Sequence, residues 1–371
     1  MTRSHSIART TAAALLVALA ATLIVISPGR ADATIALRQR FFGHQNVDPV
    51  TGDIDADDVI LSWFGVTNFA AAINGHVVLL DAWVPRGEYS GYVPTSPAEL
   101  AMLDPEFIFV GHGHFDHAAD AAEIAALSDA TLVGTPEHCD QAREQAAPDV
   151  VECVGAVPRG SAFGATAEHT GLLGPEVGIT VLKHVHSAAE QPDPSDTGGA
   201  HTPVGTVTDP RIFAEHLPAP QDTVHLASHL GDAEGDSLLW QFRIGDFALT
   251  WHDSSGPLKE RAPHVLDQLA ALPAPTDVEV GAVMGFNQIT NGLRDPRMYI
   301  ERIAPKIWIP SHHDNWAPGL TSRGEDYEQP MMDEIARIPE AQRPIVRWIS
   351  DPQDYVRPEV LTFDVNAAFW D

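Results

Sequence analysis

The chain has 371 residues and carries 51 acidic against 22 basic side chains, a formal net charge of −29. A surface so acidic repels phosphate backbones and anionic lipid, so nucleic acid and stable membrane insertion are not expected. An apolar content of 44% and a charged content of 20% are those of a globular chain able to bury a core, and the length fits one large domain or two small ones.

Arg3 and Arg9 precede the apolar run Ala12–Ile26 and the segment SPGRADA. A basic start, an apolar stretch and a small-x-small site are the marks of a secretory signal peptide over residues 1–33, with cleavage expected after Ala33. The run is shorter than the roughly 20 residues that a membrane span needs. Export is therefore expected, with 34–371 as one mature domain. Loss of Arg3, Arg9, Arg30 and Asp32 would leave it more acidic still.

Beyond the leader, VILSWF and TNFAAAI read as strands, and Asn74-Gly75 is a hairpin signal before HVVLL, which Asp81 ends. Pro105–Val110 is a short buried strand closed by Gly111. The stretch AADAAEIAAL after His117 has helical spacing. TLVGT, the helix-like PEHCDQAREQAA and VVECVG repeat a strand–helix–strand rhythm. In an oxidising compartment Cys139 and Cys153, the two cysteines of the chain, are suited to a short staple between that helix and that strand. GITVLKHVHS is a further strand. Residues 189–222 are rich in Pro, Gly, Asp and Thr without apolar period, so about 187–236 is expected to be a long loop or insertion shaping a binding site. SLLWQFRI and FALTW flank Gly245-Asp246 as a second hairpin. A helix around Lys259–Leu272 and the strand VEVGAVMG follow. DPRMYIERI reads as a helix with Asp295 as N-cap and Pro296 at its first position. KIWIP is the last core strand. Strands and helices alternating in two successive halves predict a layered α/β domain.

The chemistry lies where the strands end. His112, His114, Asp116 and His117 fall within six positions, and imidazole and carboxylate are the usual donors to zinc and similar ions. Histidines two apart on an extended segment point the same way, whereas Asp116 and His117 sit on the following turn and can face a second point. His184 and His186, His252 and Asp253, and His312 and His313 each close another apolar run. His184 and His186 share a strand face, so alternation alone does not separate them.

HGHFDH resembles the HxHxDH signature of the metallo-β-lactamase superfamily, and the likeness extends from Val59 to about Trp316, with WFG and LLDAW similar to that family's opening hairpin. The resemblance implies an αββα sandwich built from two strand–helix halves, with two divalent ions at one sheet edge. It further implies a first ion held by His112, His114 and His186, a second by Asp116, His117 and His312, and Asp253 bridging both. The Pro-x-His pattern favours His312 over His313, and the position before the loop favours His186 over His184. Asp81 would support the site by hydrogen bonds. Zn2+ suits nitrogen and oxygen donors without thiolate, and Mn2+ or Fe2+ is compatible.

The implied activity is a metallohydrolase that uses a metal-bridging hydroxide on a small-molecule ester, lactone or phosphodiester. Asp116 and Asp253 are candidates to handle the proton, and His313, Asn315 or Trp316 to touch the developing oxyanion. Asp253 stands where true β-lactamases of the superfamily carry Cys or Ser, which disfavours antibiotic hydrolysis. The opening and the Pro-x-His-x-Asp ending resemble most the lactonase and N-acylphosphatidylethanolamine phospholipase D-like branch, although Val66 replaces the histidine that many of its members have after the opening glycine. The alternatives are a mononuclear iron enzyme of the sulfur-dioxygenase kind, which would leave Asp253 and the last histidine unused, and a metal-binding protein without turnover.

Overall fold

Strands buried along nearly their whole length, one face on the other sheet and one on the helices, build two sheets whose inner faces meet. The computed structural model describes residues 29–191, 204, 216–317, 320–321 and 323–370. The expected leader lies outside them up to Gly29, and the expected cleavage point falls in the first turn of helix α1 (Arg30–Phe42).

The first half comprises β1 (Asp58–Trp63), β2 (Phe69–Ile73), β3 (His76–Leu80), α2 (Pro97–Met102), β4 (Phe107–Phe109), α3 (Phe115–Ala118), α4 (Ala121–Ser128), β5 (Thr131–Gly134), α5 (Pro136–Ala146) and β6 (Cys153–Gly155). The second comprises β7 (Thr166–Gly171), β8 (Gly174–His184), α6 (Pro220–His229), β9 (Ser237–Ile244), β10 (Phe247–His252), α7 (Leu258–Arg261), α8 (Pro263–Leu269) and β11 (Val278–Ala282). It continues through α9 (Gln288–Asn291), α10 (Arg294–Ile303), β12 (Ile307–Ser311), the small hairpin β13 (Asn315–Ala317) and β14 (Leu320–Thr321), α11 (Glu325–Ile335), β15 (Ile345–Val346) and β16 (Thr362–Asp364).

The strands form two seven-stranded sheets, β16-β1-β2-β3-β4-β5-β6, in which β16 returns from the end of the second half to pair with β1, and β15-β12-β11-β10-β9-β8-β7. Hairpin-joined strands pair antiparallel, and those joined through helices, β3 to β6 and β10 to β12, pair parallel. Asn74 and Gly75 have φ of 52° and 80°, the left-handed pair that a tight hairpin turn requires. Along β9, Leu238, Trp240 and Phe242 enter the core between the sheets while Leu239 faces the helices, as the two-residue period demands. Phe109 meets Trp240 and Phe242 across that core with ring centroids 5.1 Å apart in both pairs. Helices α1, α2, α4 and α5 cover the first sheet; α7, α8, α10 and α11 cover the second. The result is the αββα sandwich. Among the described residues no helix is long and apolar enough to cross a membrane.

The structure refines several expectations. Cys139 and Cys153 form a disulfide that ties α5 to β6. The helix expected after His117 is broken at Asp120, whose N–H bonds the carbonyl of Ala82 at 3.0 Å. The helix expected over Lys259–Leu272 divides at Ala262, because Pro263 has no N–H to continue the ladder. Asp295 does not cap α10: Leu293 holds that position, and Asp295 accepts hydrogen bonds from Arg294, Asn287 and Asn291 instead. The long insertion contains the ten-residue helix α6. Strand β7 escapes the sequence reading because its pattern of exposure, alternating half-buried and open, leaves no apolar period.

Candidate metal centre

The ends of β3, β4, β8, β10 and β12 meet at one rim, and the donor side chains follow from where each strand stops. After β4 the backbone passes so close to its neighbours that only glycine fits. A Cβ on Gly111 would lie 2.1 Å from Cγ of Asp253, and one on Gly113 would lie 2.5 Å from the carbonyl oxygen of Ala233. Gly113 donates to the carbonyl of Glu234 at 2.7 Å, and the Gly111 N–H bonds Asp81 Oδ1 at 2.9 Å. Gly113 of HGHFDH and Gly111 just before it are therefore part of the site's geometry.

Three imidazoles form one face. His112 and His186 bring Nε2 atoms within 3.1 Å, and the His114 ring lies 4.8 Å from His112 and 4.7 Å from His186. Burial depresses His112 to about 3, holds His186 well below its usual value and lowers His114, so all three rings are neutral with lone pairs to offer. The second face is Asp116, His117 and His312: Asp116 Oδ2 is 3.4 Å from Nε2 of both histidines, which are themselves 3.2 Å apart. Burial works against the charges here, but His117 and His312 hold Asp116 well below the carboxylate range, and Asp116, Asp253 and Asp81 hold His117 well above the imidazole range.

Asp253 lies between the faces. Its Oδ2 is 2.7 Å from His112 Nδ1 and 3.4 Å from His117 Nδ1, whereas its buried Oδ1 has no hydrogen-bond partner among the described residues. Asp81 stands behind His117. Its Oδ2 is 2.7 Å from His117 Nδ1 and accepts from Thr67 Oγ1 at 2.8 Å. Burial and the Asp253 carboxylate push Asp81 up to about 8. Val66, Asp81 and His312 all have left-handed backbones, with φ of 52°, 55° and 54°, a conformation that costs energy without glycine. Two bonds fix this strained edge: the Val66 N–H to Asp314 Oδ1 at 2.9 Å, and the His312 N–H to the Val66 carbonyl at 2.9 Å.

The donors suit a cation. Two neutral imidazole nitrogens face each other at 3.1 Å, a carboxylate and two imidazoles converge within 3.4 Å, and a buried carboxylate oxygen is left over. The triads His112/His114/His186 and His112/Asp116/His117 each place their donor atoms within 4.8 Å. A cavity of about 220 Å3 opens over His112, His114, Asp116, His186 and His312. A second one of about 240 Å3, between Asp120, Asp222 and His225, contains none of these donors.

Of the residues singled out in the sequence, His112, His114, Asp116, His117, His186, Asp253 and His312 converge. His313 does not: it packs between Trp63 and Trp348, ring centroids 5.6 and 5.0 Å away. His184 turns from the site to bond the Tyr299 hydroxyl at 2.8 Å, while His186, two residues on, lies beyond the end of β8 and reaches it. His252 donates from Nδ1 to the Ser254 carbonyl and meets Glu279 at 3.0 Å. His216 meets the Ser90 carbonyl, His225 meets Asp120 and His229 meets Asp232. His201 lies outside the described residues, as do the side chains of Asn315 and Trp316. Thr67 was not foreseen, since a threonine between two strands carries no signal of a role.

No protein-family model matches the chain. It is similar to curated proteins called UPF0173 metal-dependent hydrolases. That of Pyrobaculum neutrophilum is 35% identical over 89 residues, 24% of this chain and 38% of the relative. That of Methanopyrus kandleri is 33% identical over 147 residues, 40% of this chain and 55% of the relative. The chain thus spans between about two fifths and just over half of the length of these relatives. Among solved structures, the metallo hydrolase Igni18 of the archaeon Ignicoccus hospitalis superposes with a TM-score of 0.50 at 15% identity, covering 82% of this chain and 98% of that one. The metallo-beta-lactamase fold protein YhfI of Bacillus subtilis gives a TM-score of 0.47 at 10% identity over 80% of this chain and 97% of that one. At such identities the structural likeness speaks for the fold alone.

Proposed function

We propose that the chain, similar over part of its length to metal-dependent hydrolases and sharing the fold of a metallo hydrolase, is a member of the metallo-β-lactamase superfamily and an exported, binuclear metal-dependent hydrolase of small esters, lactones or phosphodiesters. The observation that carries this reading is the opposition of two donor faces, His112/His114/His186 and Asp116/His117/His312, with Asp253 between them and five of these donors lining a cavity. The first face would hold one ion and the second another, and Asp253, whose Oδ2 lies beside His112 and His117, would be the carboxylate shared between them. Divalent cations in these positions supply Lewis acidity and lower the pKa of water. Zn2+ fits a set of imidazoles and carboxylates without thiolate, as do Mn2+ and Fe2+.

The chain's own residues do the rest. Asp81 and Thr67 fix the ring of His117, and Asp253 fixes that of His112, so each ring presents Nε2 to the cavity side in one orientation. Asp116 borders the cavity beside His117 and His312, where its carboxylate can hold an ion and orient a water. Phe115, Leu230 and Phe286 narrow the opening and limit the access of bulk water.

Metal quantification on the purified protein tests the reading, combined with turnover of p-nitrophenyl acetate, a lactone and bis-p-nitrophenyl phosphate. The expected result is two ions per chain and hydrolysis of at least one substrate. His114→Ala and His312→Ala should each lose one ion and nearly all turnover. A single iron per chain that His312→Ala does not displace would instead favour the mononuclear alternative, and two ions without turnover the non-catalytic one.

A further inference from the structure

Where the cavity wall carries no donor, Phe115, Leu230 and Phe286 line it beside Ser187 and Asp232. Phe115, on α3, stands edge-on to Trp83 at 5.6 Å and 90°, within a small cluster that also holds Val66, Ala119 and Leu226 of α6. Leu226 anchors α6 there, and the next turn brings Leu230 over the opening, 62% exposed. From the second sheet, Phe286 follows Gly285, where a Cβ would meet Ser187 at 2.5 Å, and its ring remains 49% exposed at the same opening. An exposed large apolar side chain beside a concave site, as Leu230 is, is the informative exception to burial. The charge balance points the same way. Asp232 brings a carboxylate to the rim, and among the described residues no lysine or arginine borders the cavity.

We propose that Phe115, Leu230 and Phe286 seat the apolar acyl chain of an uncharged ester or lactone, and that Leu230 and Phe286 set the preference for its length. This rests on the hydrolase reading above and narrows it: an anionic phosphodiester would bring its charge to a rim with a carboxylate and no described cation. In the reaction the acyl carbon–oxygen bond breaks. Water supplies both the hydroxyl that stays on the acyl carbon and the proton that leaves with the alcohol. Each methylene seated against this wall is expected to raise kcat/KM about fourfold until the cavity is full.

The test uses metal-loaded protein with p-nitrophenyl acetate, butyrate and octanoate, and with bis-p-nitrophenyl phosphate. Butyrate should exceed acetate by about 15-fold in kcat/KM, and the phosphodiester should be the poorest substrate. Leu230→Ser and Phe286→Ala should bring the butyrate-to-acetate ratio close to one, with the loss falling on KM for butyrate. Both positions are partly open to solvent, so the fold should tolerate the changes, which unchanged metal content and circular dichroism would verify. Val150→Ser, at a remote valine 83% exposed, should keep the ratio. Preferential cleavage of the phosphodiester, or a ratio that survives both variants, overturns the acyl seat and leaves the hydrolase reading standing. No turnover of any substrate by protein with both ions bound overturns that reading and this inference with it.

Discussion

Gly111→Ala is the sharpest probe of the centre, because it alters no donor. Gly111 is not left-handed, so alanine is allowed by the backbone and the perturbation is purely one of space. The new methyl would sit 2.1 Å from Cγ of Asp253 and 2.2 Å from its Oδ2, whereas ordinary contact begins near 3.4 Å. Asp253 or the 111–112 backbone must therefore shift by about 1.3 Å, the difference of those two distances. Neither is free to do so: Asp253 is fully buried against His112, and Gly111 is tied to Asp81 and, through its carbonyl, to Leu238. Overpacking of this kind costs about 1–3 kcal/mol of stability, and a displacement near 1 Å in a reacting constellation can cost on the order of 100-fold in rate. We expect metal-loaded Gly111→Ala to unfold at lower urea, to bind its ions more weakly by calorimetric titration, and to lose about two orders of magnitude in kcat/KM. A variant with wild-type metal affinity and rate would refute the claim that Asp253 must occupy this place.

Phe109→Ala should lose about 3–5 kcal/mol in urea unfolding, since the ring is fully buried and bridges the two sheets through Trp240 and Phe242; a loss below about 1 kcal/mol would mean that the interface is not held there. The hydrogen bond to Asp120 raises His225, so its folded value lies above its unfolded one and the pair stabilises fully below about pH 6.5, fading as pH rises through the folded value. His225→Asn should therefore lower the melting temperature at pH 5.5 and leave it nearly unchanged at pH 9, with a modest effect because 36% of the ring is exposed to screening; equal shifts at both pH values would contradict this. Replacing both cysteines by serine opens a loop of 14 residues and should cost about 3 kcal/mol. It should also weaken metal binding, because α5 carries His138 and Gln141, which hold Glu234 and Gly113 beside the donors. Metal affinity indifferent to that change would detach α5 from the site.

Much of this was written in local pattern. The strands VILSWF, HVVLL, SLLWQFRI and KIWIP announce themselves because their residues face either the inter-sheet core or the helices, and the donors stand out because histidine and aspartate cluster where those runs stop. What was not legible depends on long-range partners. Asp120 ends a helix by pairing its N–H with Ala82, a residue 38 positions earlier that no local window includes. The choice between His184 and His186 was open by alternation and is decided by where β8 ends, two residues before His186. His313 looked like a neighbour of the chemistry, yet the left-handed turn at His312 sends the two rings apart, one toward Asp116 and the other between tryptophans. Thr67, Leu230 and Phe286 matter only through what they touch, and composition is blind to that.

The centre draws its donors from both halves of the chain: residues 112–117 from the first, His186, Asp253 and His312 from the second. Nearly 200 residues of synthesis separate the earliest donor from the last. A growing polypeptide thus cannot bring these donors together until β12 has emerged and docked. On the proposed reading, ion uptake would be a late event in maturation, and ions bound at full stoichiometry would report that the two halves have closed upon each other.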